Sequence, residues 1–149
     1  HESPRLRHDF VTRKITDGVA RVKSGLQKKV LFGNMDAIRD WGHAMDYIEG
    51  MWLMLQQEIP DDYVLATGKT ASVRDALEYV CSLADLDIDD VYEVNPDFMR
   101  PADVPFLCGD SSKASRVLGW TPKHDWKSLL REMYYHDLDL VSKEVYTYK

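Results

Sequence analysis

No stretch of this chain approaches the roughly 18 uninterrupted apolar residues of a membrane-crossing helix, so no transmembrane segment and no membrane partner is expected. The first residues, His1 to Arg5, resemble neither a signal peptide nor a transit sequence. Only two cysteines are present, Cys81 and Cys108. That is too few for a disulfide framework, and the absence of Cys-x-x-Cys spacing favours free thiols in a reducing, cytoplasmic setting. The five histidines (His1, His8, His43, His124 and His136) form no H-x-x-x-H or H-x-H pair, so no metal site is expected. The acidic run "DLDIDD" fails as a calcium loop, because Asp90 stands where glycine is required and Pro96 where a bidentate glutamate is. No G-x-S-x-G elbow occurs, and Cys108 has no activating partner nearby in sequence. A glycine-rich dinucleotide loop is also missing, as is a Tyr-x-x-x-Lys pair; the nearest approach, "YTYK" at the terminus, is one residue short. No catalytic residue is therefore assigned to the chain.

What is present is ordinary for one soluble globular unit with a modest core: 149 residues, 44% hydrophobic and 30% charged. Without internal repeats, low-complexity tracts or a Gly/Ser linker, residues 1–149 read as a single unit. The chain starts at His1 rather than at methionine, and a piece of something longer is expected. A net charge of -6 argues against a nucleic-acid partner. The charge is unevenly spread: the first 30 residues hold eight Lys/Arg against three Asp/Glu, a local +5 that leaves -11 on the rest. Two readings stand, a basic segment suited to a small anion and a solvated helix face that happens to be basic.

Helical spacing of Val11, Ile15, Val19, Val22 and Leu26, with Gly25 as a stop, predicts a first helix. "KKVLF" before Gly33 and Asn34 reads as a short strand and turn. A helix is expected from about Ala44, with Ile48, Trp52 and Leu55 on its inward face and Asp46 in its first turn. "DYVLATG" is expected to be a second strand, ending at Gly68. Ser72 and Asp75 resemble a capping box for a helix through Val73, Leu77 and Val80. "VYEV" is a third strand ended by Asn95 and Pro96, followed by an irregular segment over 95–110. Ser112 is expected to cap a short helix stopped by Gly119, and Asp125 a long one carrying Leu130, Met133, Asp137 and Val141. Strands interleaved with helices indicate α/β, with a sheet too small for a complete doubly wound domain. Arg5, Arg7, Arg39 and Arg100 fall in turn-like or pre-helical places, where a guanidinium suits either a phosphate or a surface ion pair.

Several motifs, taken in order, resemble the C-terminal part of the GDP-mannose 4,6-dehydratase family: "HESPR" at 1–5, "FVTRKI" at 10–15, "GNMDAIRDWGHAMDY" at 33–47, "YVLATG" at 63–68, "SVR" at 72–74, "RPADV" at 100–104 and "GDSSKA" at 109–114. Arg-Asp-Trp before a helix recurs throughout the extended short-chain dehydrogenase/reductases that act on nucleotide sugars; the combination is more specific. The resemblance implies a small C-terminal substrate-binding lobe whose Rossmann-type NADP domain is missing from the chain. It also implies a parent lyase, commonly an oligomer, that dehydrates GDP-mannose on the route to GDP-fucose. In that chemistry NADP takes a hydride from C4, water leaves across C5 and C6, and the hydride returns at C6. The catalytic groups lie in the missing domain, so the 149-residue chain alone is expected to be inactive. Another GDP-sugar epimerase or reductase, or a non-catalytic nucleotide-sugar-binding module, remains as an alternative.

Position by position, the resemblance makes Lys14 and Asn34 neighbours of the nucleotide, Arg39 the grip on the diphosphate and Arg100 a second phosphate contact. Asp103 stands where the family usually has a glutamate that bonds the ribose. His1 resembles a residue beside the cofactor, and either Arg7 compensates there for a missing family arginine or the cofactor contact is weakened. The family continues HESPRRG, whereas this chain has HESPRLR: Leu6 replaces an arginine expected near the NADP phosphate, and Arg7 replaces a glycine. Arg39 is expected to project from a loop braced by Trp41 and by the Ile48/Trp52 face, with Asp40 and Asp46 orienting nearby N–H groups and the arginine itself.

Overall fold

A computed structural model describes residues 1–147; Tyr148 and Lys149, which end the "YTYK" run, lie outside the described residues. Three helices make the main layer. α1 (Val11–Lys23), α3 (Val73–Ala84) and α6 (Trp126–Thr147) pack through Ile15, Val19, Leu77, Val80, Leu129, Leu130, Met133 and Val141, all fully buried. These positions recur at three- and four-residue spacing, which lays each set along one side of its helix. α3 begins at the expected capping box, with Asp75 N donating to Ser72 Oγ at 2.9 Å and Ser72 N donating to Asp75 Oδ2 at 2.8 Å. α6 is capped by Asp125, whose Oδ1 accepts from Ser128 N at 2.8 Å.

The strands do not form one small sheet. β1 (Val30–Phe32) pairs in parallel with β4 (Tyr92–Val94), and β2 (Ile38–Arg39) pairs antiparallel with β3 (Ala71–Ser72), giving two separate ribbons. β1 and β4 match the sequence reading. The expected strand over "DYVLATG" is absent: residues 61–67 carry no regular secondary structure, and Val64 is exposed. A strand is defined by its ladder, and no described segment pairs with this one, although Gly109 packs closely against Ala66 and Val64.

α2 (Ala44–Leu55) starts where expected but is turned over. Its inward residues are Asp46, Tyr47 and Gly50, whereas Ile48 (56%), Trp52 (59%) and Leu55 (82%) face outward. Asp46 is buried because it has partners there: its Oδ2 accepts from Lys123 N and His124 N, each at 2.9 Å, and its carbonyl accepts from Trp120 Nε1 at 2.7 Å. Tyr47 and Trp120 then join Ala114 and Leu118 of α5 (Ser112–Leu118) in a second, smaller core. Ser112 is the first residue of α5 and not its cap; its amide donates instead to Asp110 Oδ1 at 2.9 Å. Gly119 does end α5, in the left-handed conformation at φ 66° that glycine adopts without a Cβ clash. A one-turn α4 (Ile88–Val91), capped by Asp87, completes the set.

The leading segment is tied down by a buried ion pair. Arg13 on α1 reaches Asp137 on α6 at 2.7 Å and donates to the carbonyls of Pro4 and Leu6, while Thr16 Oγ1 donates to Asp137 Oδ2 at 2.6 Å. Leu6 packs inward against the main core.

Candidate functional site

A cavity of about 710 Å³ opens between the start of α1, the turn after β1, β2 and the segment over 97–103. Lys14, Asn34, Arg39, Arg100 and Asp103 all line it, although the first and last lie 89 positions apart. Each is brought there by a different local cause. Lys14 sits one turn into α1, whose opposite side is buried through Ile15 and Val19. Asn34 follows Gly33 at the end of β1, where Gly33 is required by close approach: a Cβ there would lie 2.4 Å from the carbonyl oxygen of Phe98. Arg100 and Asp103 come from the proline-rich segment, which begins with a single 3-10 turn, Pro96–Phe98.

Arg39 is the best-braced of the five. It stands in strand β2 and not in a loop, because Ile38 N donates to Pro105 O at 2.9 Å while Leu107 N donates to Ile38 O at 3.1 Å, adding the 105–107 stretch to the β2–β3 ribbon. Its guanidinium donates from Nη1 to Ile38 O (2.8 Å) and Val104 O (2.7 Å) and from Nη2 to Asp103 Oδ1 (2.9 Å). A guanidinium has five N–H groups, so Nε–H and one Nη2–H remain for a ligand. Asp40 braces the neighbouring backbone and not the arginine: its carboxylate accepts from Thr67 N at 3.1 Å, Gly68 N at 2.9 Å, Gly109 N at 3.2 Å and the Thr67 hydroxyl. Trp41 is buried as expected, but Ile48 and Trp52 play no part in the brace.

Among the described residues, Lys14 has aromatic company and no ion pair. Its Nζ lies 4.4 Å from the centre of the Phe98 ring and 5.4 Å from that of Phe32, and burial lowers its pKa from the ordinary lysine value. An ammonium held over two π faces and short of solvent attracts an anion or a carbonyl oxygen.

His1 and Arg7, the residues expected at the cofactor, do not line this cavity. His1 packs edge-on against the Tyr47 ring, 4.6 Å between centres. Arg7 is exposed and paired with Asp9 at 2.5 Å, which raises the guanidinium pKa and lowers that of the carboxyl. The Tyr47 hydroxyl is pushed up to about 12, first by burial and then by the charges of Asp40 and Glu2.

One cluster escaped the sequence pattern. Ligand-type atoms of His43, His124 and Glu132 lie within 4.8 Å of one another, and the two imidazoles stack at 4.4 Å. His43 Nδ1 accepts from Met45 N at 3.1 Å as the cap of α2, so a neutral ring carries its proton on Nε2, 3.1 Å from Glu132 Oε2. That nitrogen donates a hydrogen bond and has no lone pair to offer a cation, which makes the cluster a polar brace under α2.

The model for GDP-mannose 4,6 dehydratase matches residues 1–133. The chain is 48% identical over 144 residues to GDP-mannose 4,6 dehydratase 1 of Arabidopsis thaliana, covering 97% of the chain and 40% of that relative. It is 39% identical over 170 residues to GDP-mannose 4,6-dehydratase of Vibrio cholerae, covering 96% and 46%. It thus spans about two-fifths of the length of the curated relatives it matches. Among solved structures, RMD from Pseudomonas aeruginosa complexed with NADPH superposes with a TM-score of 0.84 at 22% identity, over 94% of this chain and 46% of that one. The dTDP-glucose 4,6-dehydratase from Bacillus anthracis in complex with NAD gives 0.74 at 17%, over 90% and 40%. These two likenesses establish a shared α/β fold.

Proposed function

The chain belongs to the GDP-mannose 4,6-dehydratase family, and on that premise we propose that it is the GDP-binding lobe of an NADP-dependent lyase that converts GDP-mannose to its 4-keto-6-deoxy product. The observation that carries this reading is the cavity itself: five residues scattered from 14 to 103 share one wall-lined space, and its central arginine keeps two donors free. Arg39 offers the diphosphate a paired, charge-assisted contact, Arg100 adds a second cation from the facing segment, and Lys14 with Asn34 meets the nucleoside. Phe10, Phe32 and Phe98 around the cavity suit a flat base.

The lobe's contribution is binding and orientation. Holding the diphosphate at a fixed cation sets where the sugar lies against the reacting groups, which converts binding into rate through positioning. NADP, when bound, supplies the hydride acceptor and donor. Of the residues that the resemblance sets toward it, Arg7 is exposed and paired with Asp9, and Leu6, in the place of an arginine, packs against the core. The cofactor is accordingly assigned mainly to the rest of the protein, with His1 at its margin. Homo-oligomerisation of the complete protein and a cytoplasmic location belong to the same proposal, the latter supported by free Cys81 and Cys108. No helix of the described residues is long and apolar enough to cross a membrane.

The test is isothermal titration of GDP into the full-length protein carrying this chain. Arg39→Ala should weaken binding about tenfold or more. An unchanged affinity would remove Arg39 from the site.

A further inference from the structure

Both oxygens of Asp103 face donors inside the protein. Oδ1 accepts from Arg39 Nη2 at 2.9 Å, and Oδ2 accepts from Asn34 Nδ2 at 3.0 Å. The side chain is only 20% exposed. The next residue continues the same grip, since Val104 O accepts from Arg39 Nη1 at 2.7 Å, and the chain then runs along β2 through Pro105 and Leu107. Asp103 therefore stands where the proline-rich segment joins β2, on an arm one methylene shorter than a glutamate, and that arm ends on the guanidinium.

We propose that Asp103 is a positioning residue: it acts on the nucleotide through Arg39, and not by accepting hydrogen bonds from the ribose hydroxyls. This inference rests on the reading of the cavity as the GDP site and departs from the ribose role that the resemblance gives this position. Three acceptors hold the planar guanidinium, two carbonyls at Nη1 and the carboxylate at Nη2. Removing the carboxylate leaves both remaining bonds on one nitrogen, about which the plane can swing, and the two free N–H groups lose their direction. The carboxylate also offsets charge: the cavity lining has Lys14, Arg39 and Arg100 against Asp9, Asp97 and Asp103. A ribose hydroxyl would have to share an oxygen that already serves a protein donor, at the end of an arm one methylene shorter than a glutamate. Asn34 is part of the same device, because its amide fixes the second oxygen while its own Oδ1 accepts from Asp36 N at 3.0 Å.

The experiment titrates GDP and 2′,3′-dideoxy-GDP into the full-length protein as wild type, Asp103→Asn, Arg39→Lys and the double variant. The amide is close to isosteric, and circular dichroism melts confirm folding. A positioning residue weakens both nucleotides by the same factor, roughly five- to tenfold. Its effect also shrinks below about twofold in the Arg39→Lys background, where no directed fork remains to be aimed. A loss seen with GDP but not with the dideoxy nucleotide overturns the proposal in favour of a ribose contact. Full multiplicative effects of the two substitutions overturn it as well. Wild-type protein that binds neither nucleotide would overturn the assignment of the cavity, a failure recognisable before any variant is measured.

Discussion

Lys14 shows how one side chain carries a pH signature. Binding an anion favours the charged ammonium, so by linkage affinity is fullest below the lysine's pKa in the free protein and falls as pH rises through it. Burial places that pKa below the ordinary 10.5, so the alkaline loss of GDP affinity begins earlier than a surface lysine would give. Lys14→Met should flatten that alkaline limb and lower affinity several-fold at neutral pH, as read by titration across pH 7 to 10. A second residue-scale prediction concerns the buried pair. Asp137→Ala strands the Arg13 guanidinium, which is 5% exposed, and should destabilise the protein by about 3 to 5 kcal/mol in chemical denaturation. The cavity residues were legible because motifs named them; Asp40 was read as an orienting group, but its partners, Thr67, Gly68 and Gly109, were not. Such partners lie 27 to 69 positions away and leave no local periodicity.

At the scale of elements, the capping box of α3 was readable because it is a four-residue device. Ser72→Ala should cost about 1 kcal/mol, measurable as a shift in the denaturation midpoint at constant slope. Gly33→Ala should push the Phe98 turn away from β1 and weaken GDP binding, while leaving the three-helix core intact by near-ultraviolet circular dichroism. Helices α1, α3 and α6 were anticipated since their apolar spacing is regular over many turns. β2 and β3 were invisible, because two residues hold no alternation. The face of α2 was misread for a physical reason: hydrophobic spacing locates the apolar side but not what covers it. Among the described residues, Asp46 and Tyr47 have the nearer partners, and the apolar side is left outward.

For the whole molecule, that outward side has a consequence. Ile48, Trp52 and Leu55 on α2, with Ile59 and Val64 beyond, expose large apolar side chains, and residues 61–67 have no ladder partner among the described residues. Both features favour association. The 149-residue chain on its own should self-associate in light scattering, and Ile48→Lys combined with Leu55→Lys should shift it toward monomer. The site also has a built-in delay. The bond from Arg39 to Asp103 spans 64 positions and that from Asn34 to Asp103 spans 69. At roughly 5 to 20 residues per second, the guanidinium leaves the ribosome about 3 to 13 seconds before its carboxylate does. Through that interval Arg39 lacks the carboxylate that holds it in the folded site.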